Sequence, residues 1–110
     1  MMISLGKITV TTSGTIVRAT SGLTNPAAVL PCQSISFQAL STNAGKIYVG
    51  LSTLVHTTLV GCLSVLAVPT TNTLPAYVVS SVSVAGVNGA DYWLDADNSG
   101  EGVLIGLYVA

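Results

Sequence analysis

The feature that most constrains this chain is that apolar and polar residues alternate in short runs, while helical spacing is nearly absent. Val, Thr, Ile, Ser and Gly dominate, and no long segment repeats apolar residues every three or four positions. In the stretch SISFQA, Ile35, Phe37 and Ala39 alternate with polar residues, which is typical of a half-buried strand. Short strands separated by turn residues at intervals of about 8–12 indicate a sandwich or barrel. The pattern predicts a single all-β domain over residues 1–110, an antiparallel β-sandwich of about seven or eight strands.

Turn residues between the alternating runs predict how neighbouring strands are joined. A first hairpin is expected over 7–20, with its turn at the letters SG. A second is expected over 32–50, with its turn at STNAG. Gly61 interrupts a later strand region and indicates a bulge or bend.

Charged residues make up only 6% of the chain, and the formal net charge is −1. The three basic residues, Lys7, Arg18 and Lys46, are too few and too scattered to neutralise a run of phosphates. The longest strongly apolar run, from Leu59 to Val68, is too short for a membrane-spanning helix. We therefore expect neither a nucleic acid nor a membrane among its partners.

The low fraction of charged residues also limits the composition of the surface. An ordinary soluble domain carries about a quarter charged residues, so this surface must consist mostly of neutral polar and apolar side chains. Such a surface is best explained if much of it is buried against other chains, which predicts a homo-oligomer or an assembly component. The N-terminal residues lack the pattern of a secretion signal, and Cys32 and Cys62 are expected to be buried free thiols.

All four acidic residues fall in the segment DYWLDADNSGEG, which raises the possibility of a metal site. Asp95, Asp97 and Ser99, with Glu101 close behind, resemble the first half of a calcium-binding loop. The twelfth position of that pattern is Gly106 instead of a bidentate Glu, and the flanking segments read as strands. The segment is therefore expected to be a plain hairpin loop, without a cofactor.

Catalytic motifs are absent from the sequence. His56 is the only histidine, and no nucleophile elbow, paired-histidine signature or phosphate-binding glycine loop accompanies it. Acidic residues at a hairpin tip would lack the burial that tunes a general acid or base. The sequence predicts that the protein is not an enzyme.

Two segments resemble small tailed-bacteriophage virion proteins. The first is YWLDADNSGEGVLIGLY, whose matching positions are Tyr92, Asp95, Gly100, Glu101, Gly102, Val103 and Tyr108. The second is the element Asn-x-Gly-x-Ile-Tyr-Val-Gly from Asn43 to Gly50. Such proteins are often capsid decoration, or cement, proteins with a jelly-roll-like sandwich fold. The resemblance implies a homo-oligomer, a trimer in preference to a dimer, that is made in the host cytoplasm and binds the major capsid protein on the outer surface of the virion.

Two other classes of function stay open. One is a different virion component, such as a head-fibre base, tail or adaptor protein. The other is a small calcium- or carbohydrate-binding module, in which Trp93 and Tyr48 would stack on a sugar.

Strand alternation singles out residues for an intermolecular contact. It places Trp93 on the same face as Asp91 and Asp95, which is expected to point outward. A large ring on an outer face is commonly an interface anchor. The final strand is apolar on both faces, which adds Tyr108, and Tyr48 is the third interface candidate.

Overall fold

The structure is a computed structural model that describes residues 2–21, 32–70, 72–80 and 87–108. These residues form eight strands and one short 3-10 helix, Gly89–Asp91. The strands are β1 (Met2–Val10), β2 (Val17–Arg18), β3 (Ser34–Ala39), β4 (Ile47–Val55), β5 (Val60–Leu66), β6 (Ala76–Ser80), β7 (Trp93–Ala96) and β8 (Glu101–Tyr108). The predicted all-β fold is confirmed. No helix among the described residues is long and apolar enough to cross a membrane.

The strands form two four-stranded antiparallel sheets with the orders β1-β8-β3-β6 and β2-β7-β4-β5. Strand β1 pairs with β8, β2 with β7, β3 with β6 and β4 with β5. This is the pattern of one long hairpin rolled up into two layers. Only the β4–β5 connection stays within a sheet, and every other connection crosses to the opposite sheet. The fold is therefore a jelly-roll sandwich.

Both predicted hairpins are wrong in their pairing, although their turns are at the predicted positions. The chain turns at Ser13–Gly14, but β1 and β2 then lie in different sheets. The chain also turns between β3 and β4, which again lie in different sheets. The acidic segment between β7 and β8 likewise connects the sheets instead of closing a hairpin. Turn-forming residues indicate where a chain reverses, but a corner between two layers uses the same residues.

The core lies between the sheets and is built from the inward positions of the alternating strands. Phe37 is at its centre, with its ring edge-on to Tyr92 at a centroid distance of 5.9 Å and stacked on Tyr77 at 6.4 Å. The buried apolar side chains around it come from both sheets and the segments beside them: Ile8, Val10, Ala19, Cys32, Ile35, Ala39, Ile47, Val49, Leu66, Leu94, Ala96, Val103, Ile105 and Leu107. This packing fixes which face of each strand is turned outward.

The β4–β5 hairpin folds back over the outer face of its own sheet. His56 follows Tyr48 by eight residues, which is about 26 Å in a straight strand, yet their ring centroids are 5.4 Å apart. The bend requires Gly50 and Gly61, because a Cβ at Gly50 would collide with the Gly61 carbonyl oxygen and Gly61 has φ +69°. The bend predicted at Gly61 is confirmed, and it carries the hairpin tip onto β7.

Candidate functional site

Asp95 is 1% exposed, although it was expected on an outward face at a loop tip. Its Oδ1 accepts hydrogen bonds from the backbone N–H groups of Gly14, at 3.0 Å, and Ala96, at 2.8 Å. Its Oδ2 lies 2.8 Å from Nδ1 of His56. The expectation of an exposed carboxylate is wrong because the folded-back hairpin places His56 over the outer face of β7.

Asp97 binds a different part of the chain. Its Oδ1 accepts a hydrogen bond of 2.8 Å from the Tyr48 hydroxyl, and its Oδ2 accepts one of 3.2 Å from the backbone of Lys46. Burial, followed by the Asp97 hydrogen bond, raises the pKa of Tyr48 to about 12. Tyr48 is only 8% exposed, so little of its ring reaches the surface as an interface anchor.

The side chain of Glu101 stabilises the turn between β3 and β4 by hydrogen bonds. Its two carboxylate oxygens accept hydrogen bonds from the backbone N–H groups of Ala44 and Gly45, the latter at 2.9 Å. Beside it, the buried side chain of Asn43 donates to the carbonyl of Gly102 at 2.8 Å and accepts from its N–H at 3.3 Å. The glycine at 102 is required because a Cβ there would collide with the carbonyl oxygen of Ile8.

The four candidate metal ligands therefore bind separate partners. The fourth, Ser99, accepts a hydrogen bond from the backbone of Ser13 at 2.9 Å. Within the ranges that the structure describes, no three His, Cys, Asp or Glu side chains come together in a way that could hold a metal ion. These four side chains accept hydrogen bonds from backbone N–H groups in the β1–β2 turn, in the β3–β4 turn and at the end of β7.

The His56–Asp95 pair is the feature that sequence reasoning missed. The two residues are 39 positions apart, and no motif connects them. An imidazole held by a buried carboxylate is also found in nucleophilic catalysis. Among the described residues, however, no serine, threonine or cysteine side chain hydrogen-bonds to His56, and burial raises the pKa of the nearby Cys62 thiol above its usual value. The pair attaches the hairpin tip to β7.

Cys32 and Cys62 are both free thiols. Cys32 is buried beside Val87, with which it forms an isolated β-bridge, and burial raises its pKa. Raised thiol pKa values mean a low thiolate fraction at neutral pH and low reactivity. Both thiols are free, as expected from the sequence, but only Cys32 is buried, whereas Cys62 is half-buried.

Trp93 is half-buried on the outer face of the second sheet. The guanidinium carbon of Arg18 lies 4.7 Å from the centre of its ring, which is cation–π geometry. One face of the ring is therefore occupied from within the chain. Tyr48 and Trp93 together do not form the open aromatic platform that stacking on a sugar requires.

No protein-family model, no curated protein and no solved structure matches this chain.

The outer face of the first sheet carries a broad surface that we call the neutral face. It is formed by Ser34, Ser36, Gln38, Ala76, Val78, Ser80, Leu104, Gly106 and Tyr108, which the strand registers place side by side. Three large apolar side chains project from it, with exposed fractions of 59% for Val78 and 44% for both Leu104 and Tyr108. None of these residues is charged, although Lys7 of β1, which the register places opposite Leu104, borders the face.

An open depression of about 700 Å³ lies at one end of the neutral face. It is lined by Gln38, Ser41, Leu74 and the loop residues Pro69, Thr70, Asn72 and Thr73. None of these side chains carries a group that titrates near neutral pH. The depression therefore offers hydrogen bonds but no acid–base chemistry.

Proposed function

We propose that the protein is a structural component of a tailed-bacteriophage virion, a decoration protein that binds the outer surface of the capsid as a homo-oligomer. The neutral face is the observation that carries this proposal. Three apolar side chains, Val78, Leu104 and Tyr108, stand on a flat sheet surface among serines, a glutamine and small residues. Specific interfaces typically bury about 800 Å² on each partner, and the neutral face spans three adjacent strands of the sheet.

The function requires binding energy and no site chemistry. A protein that binds the assembled shell, and not its dissociated subunits, stabilises the shell by mass action. Each copy that spans two capsid subunits adds to this effect, and many copies multiply it. A surface without charge suits such a contact, because covering it leaves no ion unpaired.

The two segments that resemble virion proteins meet in the structure, which supports treating them as one motif. Asn43 bonds to Gly102, and Gly45 donates to Glu101. In both cases a residue of the β3–β4 turn binds the start of β8. The residues of the two segments therefore meet at one corner of the jelly roll. This contact explains why the two segments occur together in one sequence. Because jelly rolls serve capsid, lectin and cupin domains alike, the proposal rests on the neutral face and the resemblance together.

The experiment that tests the proposal is co-sedimentation of the purified chain with heads of the phage whose genome carries this sequence, stripped of their outer proteins. We expect saturable binding to the heads. Leu104→Lys should abolish it, because a lysine would be buried without a partner. Leu51→Lys is the matched control, since Leu51 is 43% exposed against 44% for Leu104 but lies on β4 in the other sheet.

Circular dichroism should show that both variants keep the fold. The proposal is wrong if the unmodified chain does not bind the heads. It is also wrong if the chain sediments with tails alone, which would indicate a tail or adaptor protein. Equal binding by the two variants would exclude the neutral face as the contact.

A further inference from the structure

The four edge strands of the sandwich differ in how well they are protected against pairing with another strand. An open edge presents unpaired backbone groups, and natural proteins protect it with charges, bulges or very short strands. Edge β1 carries Lys7 and a break in register between Ser4 and Gly6. Edge β2 is only two residues long and carries Arg18. Two of the four edges are thus protected.

The β5 edge has neither a charge nor a proline. Three of its large apolar side chains are exposed, with fractions of 55% for Val60, 47% for Leu63 and 39% for Val65, whereas Leu66 is buried. The register of β5 with β4 is irregular on both sides of Gly50, so that Leu63 has no partner on β4, and Ser64 to Leu66 pair in unbroken register. Edge β6 is also uncharged but is shorter, with five residues against seven. Among the described edge strands, β5 exposes the most large apolar side chains, three against Val78 alone on β6.

The charge distribution limits what can cover this edge. The sequence contains no Lys, Arg, Asp or Glu from Ile47 to Ala90, a stretch that includes β4, β5 and β6. A charged partner would lose hydration and gain no opposite charge in return. A second copy of the same edge is uncharged as well, so the two surfaces match in charge, and a two-fold contact requires this kind of self-complementarity.

We propose that β5 pairs antiparallel with β5 of a second copy, about a two-fold axis at Ser64. In this register Leu63 of one copy lies opposite the partner's Val65, and Val65 lies opposite the partner's Leu63. The four exposed side chains then form two apolar cross-strand pairs. The inference specifies the self-association that is part of the proposed function and selects the dimer over the trimer, and it can be tested without a capsid.

The first experiment measures the mass of the purified chain by sedimentation equilibrium over a range of concentrations. We expect a dimer that dissociates on dilution. Leu63→Lys should raise the dissociation constant at least about 100-fold, because edge lysines block strand addition. Val78→Lys, on the other uncharged edge strand, is the matched control and should leave the constant unchanged.

The second experiment tests the register. Val65→Asp alone should also be monomeric, but mixing it with Leu63→Lys should restore a heterodimer, in which the introduced lysine of one variant faces the introduced aspartate of the other. Recovery of the dimer in the mixture supports the pairing. An unmodified chain that is monomeric or trimeric at every concentration overturns it, as does a dimer that Val78→Lys breaks and Leu63→Lys does not. If Leu63→Lys fails to fold, Val65→Asp alone decides between dimer and monomer.

Discussion

Asp95 lies one residue before the end of β7, and strand alternation directs its side chain away from the core between the sheets. It is nevertheless buried, with His56 on one carboxylate oxygen and two backbone N–H groups on the other. The alternation of β7 can be read from the sequence. The burial of Asp95 cannot, because it depends on a hairpin tip 39 residues away. The same limit explains why Tyr48 is an interface candidate in the sequence but is buried in the fold.

At the residue scale, we predict that Asp95→Ala lowers the free energy of unfolding by about 3 kcal/mol, since it leaves buried donors without an acceptor. Asp91→Ala is the control, because Asp91 is exposed, and it should change stability by no more than about 0.5 kcal/mol. Urea unfolding at neutral pH measures both. Equal effects would contradict a structural role for Asp95.

Tyr48 makes the stability of the fold depend on pH in the alkaline range. Burial and the Asp97 hydrogen bond raise its pKa to about 12, against about 10 in an unfolded chain. Since the folded pKa is the higher one, the contribution to stability is fully present below about pH 10 and is lost as the pH rises toward 12. The unmodified protein should therefore lose stability more steeply than Tyr48→Phe over this range.

Urea unfolding at a series of pH values measures the difference. All other side chains are common to both proteins, so their contributions cancel in the comparison. Tyr108→Phe controls for the loss of a phenol at an exposed position. If the free energy of unfolding falls equally with pH for the unmodified protein and Tyr48→Phe, the fold does not raise the pKa of Tyr48.

At the element scale, the sequence predicted where the strands and turns are but not which strands pair. Alternation in SISFQA defines β3 correctly, and turn residues mark the corners at Ser13–Gly14 and at Asn43. Pairing depends on the core, because β8 lies between β1 and β3 with its inward side chains packed against the other sheet. A local pattern carries no information about such distant partners. The resemblance predicted the jelly roll, and the residues alone predicted only a sandwich.

The bend in the β4–β5 hairpin predicts that an alanine costs more stability at Gly61 than at Gly100. Gly100 has φ +88° and open space around it, so Gly100→Ala should cost only the strain of that conformation, about 1–2 kcal/mol. Gly61 has φ +69°, and a Cβ there would also lie 2.9 Å from the carbonyl carbon of Thr53. Gly61→Ala should therefore cost about 2 kcal/mol more than Gly100→Ala. Urea unfolding compares the two, and equal losses would show that the close approach at Gly61 is unimportant.

At the scale of the whole molecule, charged and uncharged residues are segregated. The seven charged residues, Lys7, Arg18, Lys46, Asp91, Asp95, Asp97 and Glu101, all lie outside the segment 47–90. The edges β5 and β6 lie in this segment and are uncharged, and the residues of the neutral face that lie outside it are uncharged as well. Association through these surfaces has to rely on apolar burial and backbone hydrogen bonds, and ionic attraction contributes little.

We therefore predict that self-association does not weaken when sodium chloride is raised from about 0.1 M to 1 M, a range over which salt screens exposed charges strongly. Sulfate should strengthen it, because sulfate favours the burial of apolar surface. Sedimentation equilibrium in each salt measures the dissociation constant. A tenfold weakening in sodium chloride would indicate that the contact lies on the charged side of the molecule.

The rolled-up topology also sets an order in which the chain can fold. Only β4 and β5 are joined by a short turn within one sheet. Strand β1 can pair only after β8 is present, and six strands lie between the two in the sequence. Pairings between distant segments are slow to form, since a long loop must close first. During synthesis β1 therefore stays unpaired until β8 has been made. Lys7 in its middle would then keep the waiting strand from pairing with another molecule before its own partner exists.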